Sequence, residues 1–229
     1  FSPGSQWRYG PSVDVQAWLV ERLSGQRFDQ FLQQHIFGPL RMRDTTYVVP
    51  QNKHRRMAAM YRRNDDGSMV RMEDEEAFGF NTPDHGRKPG TSGLVSSLDD
   101  YMRFARMLLD GGELEGVRIL RPETVKLMAT DSLPASVTDR SWLPGKGQVG
   151  FGMDVAVRIA SPASAQESSG EIGEFFWDGA ANTLFWVDPR NEIAAVLFTQ
   201  YRPFGQLPLS LHKAFRDAVY HDDETAAAR

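Results

Sequence analysis

Thr183-Leu184-Phe185-Trp186-Val187-Asp188-Pro189-Arg190-Asn191-Glu192-Ile193-Ala194-Ala195-Val196-Leu197-Phe198-Thr199 is the stretch that decides the fold. Its two apolar runs, Thr183 to Val187 and Ile193 to Thr199, are rich in β-branched and aromatic residues and read as strands. Between them, Asp188-Pro189-Arg190-Asn191 is turn chemistry, because Asp and Asn bond to their own backbone and Pro presets φ. The two runs therefore form an antiparallel hairpin. Upstream, Glu174 to Trp177 and Phe151 to Ile159 share this composition and predict further strands. Downstream, Leu209 to Tyr220 predicts a C-terminal helix over the sheet, and Ala226 to Arg229 reads as a frayed end.

The earlier part of the chain follows a helical period. Ser12 to Leu23 puts Val15, Trp18, Leu19 and Leu23 on one face, with Ser12 as N-cap and Gly25 as the stop. A second helix runs from about Arg27, where Phe28, Phe31, Leu32, His35 and Ile36 recur at three and four until Gly38-Pro39, and the two are expected to pack together. Thr45 to Val49 predicts a short strand, and Arg62 to Ser68 a turn between short extended pieces. Asp74 to Thr91 is polar and rich in Gly and Pro, which predicts a long loop. Ser97-Leu98-Asp99-Asp100 has capping-box spacing with Asp in place of Glu or Gln. Behind it Tyr101, Phe104, Ala105, Leu108 and Leu109 form an apolar face that Gly111-Gly112 closes. Pro122 opens a short helix through Met128. There is no internal repeat. The organisation is α+β: residues 1–145 a mainly helical region with loops, residues 146–229 the sheet strands and C-terminal helix.

Composition narrows the function. With 41% hydrophobic and 24% charged residues, the 229-residue chain can bury a sizeable core and is no disordered tail. A net charge of −4 with scattered Lys and Arg leaves no footprint for nucleic acid. No apolar run approaches the ~18 residues of a membrane span. The lack of cysteine excludes disulfides, thiolate metal sites and a cysteine nucleophile, and suits cytosol and periplasm alike. His35, His54, His85, His212 and His221 lack metal-ligand spacing, so neither metal nor cofactor is expected. Gly90-Thr91-Ser92-Gly93 lacks the Lys and strand context of a phosphate cradle and reads as a tight turn bordering a cleft.

Four segments, taken in order, carry a resemblance: Phe1-Ser2-Pro3-Gly4-Ser5-Gln6-Trp7-Arg8-Tyr9 with its following helix; Ile36-Phe37-Gly38-Pro39-Leu40-Arg41-Met42-Arg43-Asp44-Thr45; Gly90-Thr91-Ser92-Gly93-Leu94-Val95-Ser96-Ser97; and Phe176-Trp177-Asp178-Gly179-Ala180-Ala181. The set resembles the serine β-lactamase and penicillin-binding-protein superfamily, closest to its family VIII carboxylesterases. The resemblance implies a β-lactamase/transpeptidase-like fold, an antiparallel sheet flanked by helices plus a helical region, and ester hydrolysis through an acyl-serine. Such enzymes combine a Ser-x-x-Lys pair, a second-motif Tyr and a third motif on a strand, so that Lys and Tyr take the serine proton. By resemblance Tyr9 is that Tyr. Pro11 stands where β-lactamases place an Asn, which fits the esterase branch. Trp177-Asp178-Gly179 is similar to the esterases' Trp-x-Gly, implying substrate contacts at Trp177, Asp178 and Gly179. Trp177 replaces a basic residue and favours an apolar acyl or alcohol group over an anionic peptide end. Ala180 is implied as a backbone oxyanion donor.

On this alignment the family's Ser-x-x-Lys precedes Phe1. The literal match Ser210-Leu211-His212-Lys213 falls in the C-terminal helix, where the family has no catalytic element. The expectation is a chain lacking the N-terminal part of the fold, inactive alone, and partnered by a companion N-terminal fragment that carries Ser-x-x-Lys. A sheet without its first strands would present an open edge and an apolar face. The expected substrate is a small-molecule ester or amide. The alternatives are a β-lactamase or D-amino-acid peptidase, which Pro11 and Trp177 disfavour, and a non-catalytic scaffold of the same fold.

Overall fold

In the computed structural model, which describes residues 1–202 and 210–226 and side chains of the last helix to His221, an irregular segment leads into α1 (Ser12–Ser24). Gly25 ends α1 in the left-handed region at φ 70°, its N–H bonding to Glu21 O. Pro11, not Ser12, holds the N-cap position; Ser12 is already helical, so its hydroxyl is not placed to cap. The predicted apolar face is bare: Val15, Trp18, Leu19 and Leu23 are exposed and only Ala17 is buried. Polar contacts fix the helix by another stripe. Asp14 accepts from the N–H and Oγ1 of Thr91, both at 2.9 Å, and Glu21 accepts from Phe28 N at 2.9 Å. Gly90 lies so close that a Cβ there would sit 2.2 Å from Val13 O.

Next, α2 (Phe28–Leu32) runs on through a π turn, Gln33–Phe37, and packs on α1. Thr45 to Val49 makes only the bridge Thr46–Val95 instead of a strand, because Thr46 Oγ1 engages the backbone of Val48. A hairpin of β1 (Tyr61–Arg63) and β2 (Met69–Arg71) follows, turning where predicted. The stretch from Asp74, predicted as loop, begins with a one-turn helix, α3 (Asp74–Phe78); Asp74, Glu75 and Glu76 suit the positive end of its dipole.

Ser97 caps α4 (Leu98–Leu109), its Oγ accepting from Asp100 N at 3.2 Å. Asp100 does not reciprocate. Its buried carboxylate accepts instead from Asp44 N at 2.6 Å and Thr45 Oγ1 at 2.9 Å, tying α4 to the preceding loop. Gly111 and Gly112, at φ 65° and 93°, close the helix. A tight hairpin, β3 (Glu113–Leu114) and β4 (Val117–Arg118), and then α5 (Pro122–Met128) complete the first part.

The sheet is a five-stranded antiparallel meander of β5 (Val149–Phe151), β6 (Ala156–Arg158), β7 (Phe175–Asp178), β8 (Leu184–Asp188) and β9 (Ile193–Leu197). The single strand predicted from Phe151 to Ile159 is two strand pieces, because the chain turns at Gly152–Asp154 with Asp154 at φ 59°. Asp188 holds the β8–β9 turn, its Oδ1 accepting from the N–H groups of Arg190 and Asn191. β10 (Tyr201–Arg202) pairs in parallel with β1, and α6 (Leu211–Ala226) covers the sheet. Leu209, the predicted helix start, and Ala227 to Arg229 of the predicted frayed end lie outside the described residues.

Alternation gives the sheet two buried faces. Phe175, Phe185, Val187 and Val196 pack on Ala105, Met107 and Leu108 of α4. Phe176, Leu184, Trp186 and Ala195 pack under Phe215, Val219 and Tyr220 of α6. Each fully buried Phe or Val contributes about 1.5–3 kcal/mol. The outer edge of β5 is covered, since Ser132 N donates to Phe151 O and Val149 N to Arg140 O. Beyond β9 no strand pairs among the described residues.

A polar network lies within the second face. Arg158 Nε and Arg216 Nη1 both donate to Glu174 Oε1 at 2.8 Å, all three side chains being wholly buried. The Arg216 guanidinium also stacks over Phe176 and Trp186. The Tyr220 hydroxyl stands between Glu174 and Asp188, at 2.9 and 2.8 Å, and burial followed by these carboxylates pushes its ionisation upward. No helix among the described residues is long and apolar enough to cross a membrane.

Candidate active site

The irregular segment before α1 carries Tyr9 to the end of β7. The Tyr9 and Trp177 rings lie 5.4 Å apart, and Tyr9 remains 64% exposed, open to a reacting group. Three further rings join them: Trp7 stacks on Trp142 at 3.8 Å and contacts Phe151 at 5.3 Å, and Phe151 meets Trp177 at 5.6 Å. Trp7 was findable as an aromatic two residues before Tyr9. Trp142 sits in a loop before Pro144 and Gly145, with no periodicity to betray it.

Past Trp177 the chain makes a tight turn. Gly179 N donates to Thr183 O at 2.9 Å and Asn182 N to Gly179 O at 3.0 Å. The fit is close at the first position, where a Cβ on Gly179 would fall 2.1 Å from Thr183 Oγ1 and force that hydroxyl to move. Ala181 O accepts from Thr199 Oγ1 at 2.6 Å and from Tyr201 N at 3.3 Å. Ala180 is exposed at the tip, and its N–H enters none of these bonds.

Asp178 points away from the rings. Strand alternation sends its side chain to the face opposite Trp177, where its Oδ2 lies 3.5 Å from both Lys146 Nζ and His212 Nδ1. Lys146 Nζ is itself 3.3 Å from His212 Nδ1, and His212 Nε2 is 3.0 Å from Asn182 O. Burial pushes the Lys146 amine down to about 8, with Asp178 pulling the other way. Burial works to raise the Asp178 carboxyl, but His212 and Lys146 together hold it below its ordinary value. The structure thus brings Tyr9 and Trp177 together, puts Gly179 and Ala180 on the adjoining turn, and sets Asp178 behind it. Lys146 and His212 are joined to Asp178 only in three dimensions, and the sequence reading missed both.

Two serine constellations are structural. Ser210 accepts weakly from Lys213 N, and Lys213 Nζ pairs with Asp217 one turn on, while His212 between them faces the interior. Ser169 Oγ lies 2.9 Å from His221 Nε2 and 2.8 Å from Asp217 Oδ1. Burial works to raise the Asp217 carboxyl, but the Lys213 and Ser169 bonds outweigh it, and an ionised carboxylate only accepts. The one hydroxyl proton of Ser169 therefore goes to Asp217, and the imidazole donates to Ser169 instead of taking its proton.

The Beta-lactamase family model matches residues 1–217. An uncharacterized protein of Mycobacterium tuberculosis is 33% identical over 209 residues, covering 88% of this chain and 50% of its own length. The monacolin J acid methylbutanoyltransferase of Aspergillus terreus is 26% identical over 241 residues, covering 95% of this chain and 55% of its own length. The solved structure of EstCE1, described as a hydrolase with promiscuous acyltransferase activity, superposes with a TM-score of 0.76 at 24% identity, covering 96% of this chain and 57% of that one. That likeness carries the fold: β-lactamase/transpeptidase-like, with helices packed on antiparallel sheet. The chain spans about half the length of the curated relatives it matches.

Proposed function

Because this chain belongs to the beta-lactamase family, we propose that it supplies one wall of a carboxylesterase-like, acyl-transferring site whose serine and lysine lie outside these 229 residues. The observation that carries the reading is Tyr9 packed on Trp177 beside the turn that exposes Ala180. In the proposed reaction the serine proton passes to the Tyr9 oxygen as the phenol proton passes to the lysine amine. The serine oxygen bonds to the ester carbonyl carbon, and the Ala180 amide donates to the resulting oxyanion. Collapse breaks the ester C–O bond, and the leaving alkoxide takes a proton back through the same relay. Water then attacks the acyl-serine to release the acid, or a second alcohol attacks to form a new ester.

The five-ring cluster supports an apolar acyl or alcohol group, since Trp177 and its neighbours offer area and indole donors but no charge. The names of the relatives, a methylbutanoyltransferase and a hydrolase with acyltransferase activity, support both fates of the acyl group. The edge of β9, on which no strand pairs among the described residues, and the bare face of α1 support a companion segment completing the fold.

A fluorophosphonate probe, applied to the protein with everything that copurifies, tests the reading. The expected adduct forms on a serine outside this chain and is lost in Tyr9→Phe. An adduct on Ser210, or labelling that Tyr9→Phe leaves undiminished, would refute it.

A further inference from the structure

The connection between β7 and β8 is held from behind by one side chain that touches both its ends. Asp178 closes β7, Asn182 lies just before β8, and Gly179, Ala180 and Ala181 loop between them. His212, reaching down from α6, meets Asp178 Oδ2 with Nδ1 at 3.5 Å and the Asn182 carbonyl with Nε2 at 3.0 Å. A carbonyl oxygen only accepts, so Nε2 carries the proton. The other nitrogen faces two partners of opposite demand. As a lone pair Nδ1 accepts from the Lys146 ammonium at 3.3 Å, and as N–H it points at Asp178. Either state leaves the Nε2–H bond to Asn182 intact. Lys146, His212 and Asn182 are all buried, which shields these bonds from competing water. Asn182 has its own anchor, with Nδ2 donating to Tyr201 O at 2.8 Å and its backbone at φ 60°.

We infer that His212, oriented by Lys146 and Asp178, is the positioning residue of the 179–182 turn and so sets where the Ala180 amide points. The inference rests on the reading of that amide as oxyanion donor, but its structural half is separately measurable. His212 acts through the two ends of the turn, the Asp178 carboxylate and the Asn182 carbonyl.

The test compares His212→Phe, which keeps a ring and removes both nitrogens, with His212→Gln, whose amide nitrogen can replace Nε2. Lys146→Met serves as a second variant that keeps both imidazole nitrogens and removes the ammonium beside Nδ1 and Asp178. Hydrogen exchange is followed at Gly179 and Asn182, and turnover of 4-nitrophenyl butyrate is measured on protein purified with its nucleophile-bearing segment. In His212→Phe, exchange at those two amides should rise about tenfold while β8 and β9 stay protected. In parallel kcat should fall about ten- to hundredfold with KM within about threefold, the signature of a displaced reacting geometry. His212→Gln should recover most of both, and Lys146→Met should fall between. Unchanged exchange in both His212→Phe and Lys146→Met overturns the inference, whatever the activity. Faster exchange with undiminished kcat leaves the clamp standing and removes Ala180 from the proposed mechanism instead.

Discussion

Glu174→Gln should lower the unfolding free energy by about 3–5 kcal/mol, the range for breaking a buried ion pair by removing one partner. The replacement keeps shape and volume and deletes one charge. In the native protein Glu174 Oε1 accepts from two guanidiniums at 2.8 Å each, and Oε2 faces the Tyr220 hydroxyl at 2.9 Å. Arg158, Glu174 and Arg216 are all 0% exposed, so water cannot replace what is lost. A glutamine oxygen can still accept from both guanidiniums, and its NH2 can donate to the Tyr220 hydroxyl as that hydroxyl donates to Asp188, so what is lost is the charge that compensates two buried cations. Individual charge-assisted bonds contribute roughly 1.5–3 kcal/mol, which places the combined loss in the same range. Urea denaturation at pH 7, followed by far-ultraviolet circular dichroism, reads the change, with an unaltered m-value showing that the unfolded state is the same. A loss below about 1 kcal/mol would refute the reasoning, since it would mean the guanidiniums find other partners. Replacing the triad together, Arg158→Met, Glu174→Leu and Arg216→Met, should leave stability within about 1 kcal/mol of the parent or above it, because no buried charge in the triad is then stranded.

Lys146→Met should flatten a pH dependence. The folded amine titrates near 8 against 10.5 when unfolded, so the unfolded chain binds more protons between those values and the parent gains stability as pH rises through that window. The parent-minus-variant difference in unfolding free energy should climb by roughly 3 kcal/mol from pH 7.5 to 10.5, and a level difference would contradict the burial argument. Asp100→Ala removes the partner of Asp44 N and one partner of Thr45 Oγ1, and should destabilise by about 1.5–3 kcal/mol in the same urea assay; an effect within about 0.5 kcal/mol, the size of an ordinary surface change, would count against that tie. Gly90→Ala drives a methyl against Val13 O and should lower stability by about 1–3 kcal/mol, with an unchanged melting temperature as the contrary result.

The strongest periodic signals in the chain became elements close to where they were read, as at α1, α4, α5 and the β8–β9 hairpin. Two errors came where a polar side chain overruled a local pattern. Thr46 turned back on its own backbone and left a bridge in place of a strand, and Asp100 reached across to Asp44 instead of closing its own cap. The α1 face shows the limit of periodicity, which identifies an apolar stripe without saying what covers it. At the candidate site, Tyr9, Trp177, Gly179 and Ala180 were legible because motifs are contiguous in sequence. Trp142, Lys146 and His212 were not, because a loop and a distant helix deliver them to β7.

Every ladder of the five-stranded meander joins strands that follow one another along the chain. The layer can therefore zip up by successive local closures, whose entropic cost grows only with the logarithm of loop length. Low contact order of this kind favours rapid assembly. The remote partner is α4, which must travel from the other half of the polypeptide to seat Ala105, Met107 and Leu108 on the Phe175 side. Folding speed should accordingly respond to truncations at that helical docking surface far more than to changes in the hairpin turns.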